Sequence, residues 1–163
     1  MKVAIIGAGP RGLWASEELM GRARERGAAI DVTVFDAKPL EESSAPGAFR
    51  DSVPEEFILN APKSIVETKL GPLDPNDELP GDFPSRRHVG EHLDASWRAL
   101  EENLPPRCSL THRVANIEMV EPTDDGVVVL GEHYDEVLMV TGHAHDWPGS
   151  LAHADLGDFK VVA

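Results

Sequence analysis

Val3-Ala4-Ile5-Ile6-Gly7-Ala8-Gly9-Pro10-Arg11-Gly12 is the stretch on which the fold turns. Its first four residues are apolar without interruption and stop at a glycine. So short and uniform a run reads as a strand buried on both faces, the condition of a central strand in a parallel sheet. Helical spacing takes over at once. Leu13, Ser16, Leu19, Met20 and Ala23 share one face of residues 11–26, with Glu17, Glu18 and Arg22 off it. Gly27 suits the left-handed residue that closes a helix. Val32-Thr33-Val34-Phe35 is β-branched and aromatic, a second strand. Strand, glycine turn, helix and strand in that order require a right-handed crossover and a parallel pair.

Residues 37–85 break the rhythm: most of the 13 prolines fall in these 49 residues, with little periodicity. Long irregular connections of this kind are usually functional or disordered. Phe57-Ile58-Leu59 is too apolar to lie wholly in solvent, so the stretch is expected to pack over the domain and line a ligand groove, with a mobile tip near Asp74 to Asp82. Val89, Leu93, Trp97, Leu100 and Leu104 then mark a helix over 86–104, which Pro105-Pro106 stops. Short strands follow at 109–121, 126–130 and 136–141, the turn at Asp124-Asp125-Gly126 pairing two of them as an antiparallel hairpin. Glu136 to Thr141 reads as another buried central strand, and Phe159 to Val162 as a fresh apolar run, either an edge strand or the start of something longer. The fold class is therefore α/β: a Rossmann-type parallel sheet with flanking helices and a small antiparallel β-meander. Residues 1–163 are expected to form one domain, with 37–85 as its long crossover and a truncated C-terminal side.

The glycine turn matches G-x-G-x-x-G in a context that gives it chemical meaning, since it leaves a strand and opens a helix. Gly7 allows the tight turn, Gly9 lets a pyrophosphate approach the backbone, and Gly12 lets the helix sit close to the sheet. Free N–H groups at the helix start face the anion, favoured by the helix dipole. Pro10 costs little there, because its missing N–H had no helical partner. Asp36 ends the second strand, 24 residues after Gly12, where a carboxylate accepts hydrogen bonds from an adenosine ribose and repels a 2′-phosphate. These residues fit FAD or NAD and not NADP, although Lys38 lies close enough to soften the last distinction.

Composition narrows the partners. Asp plus Glu number 29 against 15 Lys plus Arg, a formal charge of −14. Such a chain repels a phosphate backbone unless its cations cluster, and only short pairs such as Arg86-Arg87 occur, so nucleic acid and an anionic membrane surface are disfavoured. Cys108 is the single cysteine and can form neither an intrachain disulfide nor a cysteine-based zinc site. It reads as an inert thiol in a reducing compartment. With no signal-peptide core and no apolar stretch of membrane-spanning length, the expected location is the cytoplasm.

Several segments resemble, in order, the FAD-binding region of bacterial FAD/NAD(P)-binding flavoproteins of the two-dinucleotide-binding-domain type, with flavin-dependent monooxygenases as more distant relatives. The opening VAIIGAGPRGLWASEEL with VTVFDA is similar to their first segment, and Pro46 to Arg50, Phe57 to Pro62 and Phe83 to Leu93 to later ones. Val137-Leu138-Met139-Val140-Thr141-Gly142-His143 resembles their second signature, a hydrophobic strand ending in T-G-H. The resemblance implies FAD, with NAD as the alternative. By that resemblance Gly7, Gly9, Pro10 and Gly12 hold the pyrophosphate, and Asp36 with Ala37 beside it the ribose. Phe49 and Arg50 lie near the flavin or its phosphates, and Asn60 near the flavin end. Val114 meets adenine through its backbone, and Thr141, Gly142 and His143 pass close to the cofactor. His92 stands where the family prefers Tyr, which puts any specific contact at that position in doubt. Arg11, Arg50, Arg86 and Arg87 are available as local positive charge, each otherwise a solvated surface residue.

Other constellations carry less. His143-Ala144-His145-Asp146 with His153 has ligand residue types without a zinc spacing. His88 and His92 lie four apart beside the apolar stripe, on a partly exposed helix surface. No carboxylate dyad or nucleophile elbow is present, so any redox chemistry belongs to a cofactor. The expected function is FAD binding in a flavin-dependent oxidoreductase, with hydride transfer through flavin N5 and with NAD(P)H and a small molecule as partners. The alternatives are a non-catalytic nucleotide-binding module, a piece that needs a partner subunit or a missing C-terminal region, and an NAD-dependent dehydrogenase fragment. A methyltransferase ranks below these, because the six-residue turn and the T-G-H strand suit flavoproteins better.

Overall fold

The apolar run after Met1 forms β1 (Lys2–Ile6), and its alternating side chains feed two separate cores. Val3 and Ile5 point into one with Leu13, Met20, Val32, Val34, Val89, Leu93 and Trp97; Ala4 and Ile6 point into the other with Phe35, Val127, Val129 and Tyr134. Burial on both faces is why this strand lacks polar alternation. The computed structural model describes residues 1–40, 49 and 54–141.

From β1 the chain enters α1 (Pro10–Arg26), which ends at Gly27 with φ 61° and the Ala28 N–H on the Ala23 carbonyl at 2.9 Å. It returns as β2 (Asp31–Asp36), parallel to β1 in the register Val3↔Val32 to Ile6↔Phe35. A single 3-10 turn (Lys63–Ile65) and a hairpin of two short strands, β3 (Glu67–Thr68) and β4 (Gly71–Pro72), interrupt the excursion that follows. Helix α2 (Arg86–Glu102) starts at Ser85, whose hydroxyl accepts the His88 N–H at 3.2 Å. It leads to β5 (Ser109–Val114), parallel to β2. A meander of β6 (Glu121–Thr123), β7 (Gly126–Val129) and β8 (Glu132–Tyr134) covers the face away from the helices, its first turn being Asp124-Asp125. The last described strand, β9 (Glu136–Met139), runs parallel to β1 on the side away from β2. The order β5-β2-β1-β9, entirely parallel, is the expected Rossmann-type sheet with its antiparallel addition, both described helices lying on one face.

Three readings need correcting. Strand β9 is an edge strand among the described residues, with Leu138 38% and Met139 59% exposed, although its sequence reads as central. Phe57 and Ile58 stand in solvent, and only Leu59 packs against the core. The segment is held instead by its backbone: the Leu59 N–H bonds the Pro84 carbonyl and the Arg86 N–H the Phe57 carbonyl, both at 2.8 Å. Glu17, placed off the apolar face of α1, is buried because the β3–β4 hairpin lies over it and gives its carboxylate the Lys69 N–H at 3.0 Å.

The excursion's tip is tied down rather than loose. The Lys63 ammonium bonds Asp74 at 2.8 Å, Asp77 at 2.6 Å and the Leu79 carbonyl at 2.7 Å, while the Asp74 carboxylate also takes the N–H groups of Glu78 and Leu79. The hairpin is pinned to α2 by Thr68, whose hydroxyl lies 2.7 Å from Ser96 Oγ and 3.2 Å from His92 Nε2.

Candidate functional site

Because β1, β2, β5 and β9 are parallel, their C-terminal ends open on one side of the sheet. The glycine turn, Asp36, Val114 and Thr141 all lie there, which is where ligands bind in sheets of this kind.

The turn leaves no room for side chains at two positions. Gly7 has φ 113°, and a β-carbon on it would lie 2.6 Å from the Val140 carbonyl oxygen and 3.2 Å from the Thr141 Cα. A β-carbon on Gly12 would lie 2.1 Å from the Gly7 carbonyl oxygen. These two glycines let the end of β9 and the first turn of α1 close on the loop. Gly9 precedes α1 in an extended conformation (φ −67°, ψ −172°) and no side chain caps the helix start, with Pro10 as its first residue. The first-turn amides are thus left to whatever anion approaches.

The loop is gripped from both sides at Ala8. Its N–H donates to Asp36 Oδ2 at 2.9 Å, and its carbonyl accepts the Trp97 indole N–H at 3.2 Å. Asp36 Oδ1 takes the Lys38 N–H at 3.1 Å, so two backbone amides orient the carboxylate while it stays half-buried. The Gly7 N–H bonds the Phe35 carbonyl at 2.8 Å, and Ser16 Oγ bonds the Gly12 carbonyl at 2.8 Å.

Beside the loop is a small depression lined by Ala8, Val34, Asp36, Lys38, Leu40, His112, Arg113 and Val114. It exists because β5 pairs with β2 in the register Val34↔His112, Phe35↔Arg113 and Asp36↔Val114. Val114 is 63% exposed at its rim. The His112 ring meets Trp97 edge-on, centroids 4.8 Å apart, and its Nε2 lies 3.2 Å from Glu101. Arg113 Nη1 sits 2.6 Å from Glu132 Oε1, and its guanidinium carbon lies 5.2 Å from the Phe35 ring centroid. That hydrogen bond holds the Glu132 carboxyl below its usual range and pushes the arginine up.

The structure brings Gly7, Gly9, Pro10, Gly12, Asp36, Ala37, Val114 and Thr141 to one end of the sheet. Arg11 and Ala37 are exposed. Phe49 packs against the helix-side core, with the guanidinium carbon of Arg86, the first residue of α2, 5.7 Å from its ring centroid. Asn60 is exposed. Arg50, Gly142 and His143 lie outside the described residues, as do His145 and His153. Among the described residues no group of three or more His, Cys, Asp and Glu could hold a metal, and no helix is long and apolar enough to cross a membrane. His88 and His92 are partly exposed on α2, as expected, and each has a partner: His88 Nδ1 lies 3.0 Å from Ser85 Oγ, and His92, against Thr68, has its pKa lowered by burial. Cys108 is half-buried, its Sγ on the Ala28 carbonyl at 3.5 Å.

Sequence reasoning missed Trp97 as a loop anchor, and His112 and Arg113 as lining residues. Trp97 read only as part of an apolar stripe. The other two follow from the β2–β5 register, which no local pattern encodes.

The residues present fit an ADP-containing dinucleotide: a close-approach glycine turn, an uncapped helix start, an oriented carboxylate and a depression beyond it. The comparisons agree. The chain is 27% identical over 151 residues to the nitrosuccinic acid synthase of Aspergillus oryzae, an alignment covering 76% of this chain and 22% of that protein. The chain thus spans about a fifth of the length of this relative. Residues 4–144 match the FAD-NAD(P)-binding family, and with that match over most of its length the chain belongs to the FAD-NAD(P)-binding family.

Proposed function

We infer that this chain is the FAD-binding region of a flavin-dependent oxidoreductase. The observation that carries the reading is Asp36. Its carboxylate is oriented by the Ala8 and Lys38 amides at the mouth of the depression, one strand away from the uncapped start of α1. Each oxygen keeps a further lone pair, so the two ribose hydroxyls can donate to it. In this reading the amides after Gly9 hold the pyrophosphate. Val114 offers its backbone to the base, and Phe49, Asn60 and Arg86 approach the flavin half. Thr141 stands on the other side, at the end of β9. Bound FAD would supply hydride acceptance and donation at its N5. The chain's own part in this reading is to bind and orient the cofactor. The carboxylate disfavours a 2′-phosphate, and the long excursion after β2 suits a ligand larger than NAD. NAD(P)H and a small-molecule substrate are the expected reaction partners.

An absorbance scan of the purified protein, followed by FAD titration, tests this. A flavin spectrum with stoichiometric uptake supports it; uptake of NAD in preference to FAD would overturn it. A second reading, a nucleotide-binding module that turns over only with further chain or a partner subunit, is favoured by the coverage of about a fifth of the Aspergillus oryzae enzyme. It predicts FAD uptake without NAD(P)H consumption.

A further inference from the structure

We propose that Trp97 is a positioning residue for the diphosphate: it holds the Ala8–Gly9 peptide so that an N–H, and not a carbonyl oxygen, faces the approaching anion. The proposal rests on the dinucleotide reading above. Ala8 belongs to two peptide groups, and each has its own anchor. The peptide shared with Gly7 supplies the N–H that Asp36 Oδ2 accepts at 2.9 Å. The peptide shared with Gly9 supplies the carbonyl that takes the Trp97 indole N–H at 3.2 Å. Asp36 therefore says nothing about how the second peptide is turned, and that choice falls to Trp97.

The described backbone has no cis peptide, and in a trans peptide the carbonyl and the N–H point in opposite directions. With the Ala8 carbonyl turned inward to a ring that is 1% exposed, the Gly9 N–H points out of the core. Gly9 is half-buried and no described residue accepts that N–H, so it is a donor left for water or a ligand. Turning the peptide over changes only the Ala8 ψ and the Gly9 φ, and a glycine takes either sign of φ readily. The overturned peptide sets a carbonyl oxygen against the phosphates. The glycine that lets a ligand come close thus also makes this peptide easy to turn, and the indole bond selects one orientation. Trp97 is itself fixed: it packs in the helix-side core with Val89 and Leu93, its ring edge-on to His112 with centroids 4.8 Å apart.

Titration of the full chain with ADP and with adenosine tests this, followed by amide NMR shifts, which read weak binding as well as tight. The two ligands share base and ribose, and only ADP carries phosphates to read the peptide. The parent is expected to prefer ADP. Trp97→Phe keeps an aromatic ring and removes the donor, so the competent orientation loses population and ADP affinity should fall about five- to tenfold, the size of one such bond. Adenosine affinity should stay within about twofold, because no phosphate meets the loop. Benzothienylalanine at position 97 puts sulfur in place of the indole N–H at almost unchanged shape and should give the same split. It also serves as the test if the phenylalanine variant does not fold. Equal losses for ADP and adenosine in a folded variant, or unchanged ADP affinity, overturn the role of Trp97 and leave the site standing. A parent that binds neither ligand, or binds ADP no better than adenosine, overturns the dinucleotide reading and this proposal with it.

Discussion

Asp36→Asn separates the loop support that the structure shows at this carboxylate from the ribose contact proposed for it. The change leaves side-chain volume almost unaltered, removes one charge and turns one acceptor oxygen into a donor. Oδ2 holds the Ala8 N–H at 2.9 Å and Oδ1 the Lys38 N–H at 3.1 Å, so the amide nitrogen must face a donor whichever way it turns. Ala8 is 1% exposed whereas Lys38 is open to water. The asparagine oxygen should therefore turn to Ala8, leaving the Lys38 amide to be rehydrated. The cost in stability then falls at the low end of the usual penalty for a lost partner, about 1 kcal/mol. Binding should suffer more. Hydrogen bonds to a charged acceptor are worth roughly twice neutral ones, and two ribose hydroxyls are affected, so a loss of about 1.5–3 kcal/mol is expected, or about 10- to 100-fold in FAD affinity. Asp36→Ala strips the loop of both bonds and should lose about 2–3 kcal/mol of stability as well. Urea midpoints read the first effect, and titration by flavin fluorescence and ADP calorimetry the second. If Asp36→Asn bound ADP within threefold of the parent while Asp36→Ala kept the parent's urea midpoint, the carboxylate would be neither a loop support nor a ribose ligand.

Gly12→Ala places a methyl group 2.1 Å from the Gly7 carbonyl oxygen, a backbone atom that cannot step aside alone. Destabilisation at or above the usual overpacking cost, about 3 kcal/mol, is expected in thermal melts, and an unchanged melting point would contradict the close approach. Burial raises the Glu17 carboxyl above 4.5, so the folded state binds that proton more tightly than the unfolded state does. Stability from this group falls as pH rises from 4.5 through the raised value, and above that the penalty is complete. Glu17→Gln keeps an acceptor for the Lys69 N–H and should flatten that part of the stability–pH curve; a Gln variant with the parent's slope just above pH 4.5 would show that another group sets it. Lys63→Ala removes the ammonium that gathers Asp74, Asp77 and the Leu79 carbonyl. Amide exchange at Glu78 and Leu79 should accelerate while that of β1 does not, and equal protection at 78–79 would mean the clamp is idle.

What could be read from the sequence was what neighbours in the chain decide. The four apolar residues before Gly7, the helical spacing after Gly12 and the acid closing β2 lie within 36 residues, and each shows its structural state by local pattern. The Asp124-Asp125 turn was legible for the same reason, because hairpin chemistry is confined to a few residues. Pairings across long separations were not. His112 and Arg113 reach the depression only because β5 lies beside β2, and burial of Glu17 depends on Lys69, 52 residues away. Phe57 and Ile58 misled because the bonds that order their segment are made by the backbone and leave the side chains free to face water. The exposed β9 shows the opposite error, an apolar pattern on what is an edge strand among the described residues.

The bond between the Trp97 indole and the Ala8 carbonyl joins atoms 89 residues apart in the chain. Indole emission responds to what its nitrogen donates to and to charge placed nearby, so the molecule carries an optical sensor wired to its own glycine loop. Trp14, 48% exposed on α1, reports on bulk water instead; with Trp147, which lies outside the described residues, replaced by Phe, the two remaining signals can be told apart with a soluble quencher. In such a Trp147→Phe variant a change at the loop is thus read without an added label, by light from the buried ring.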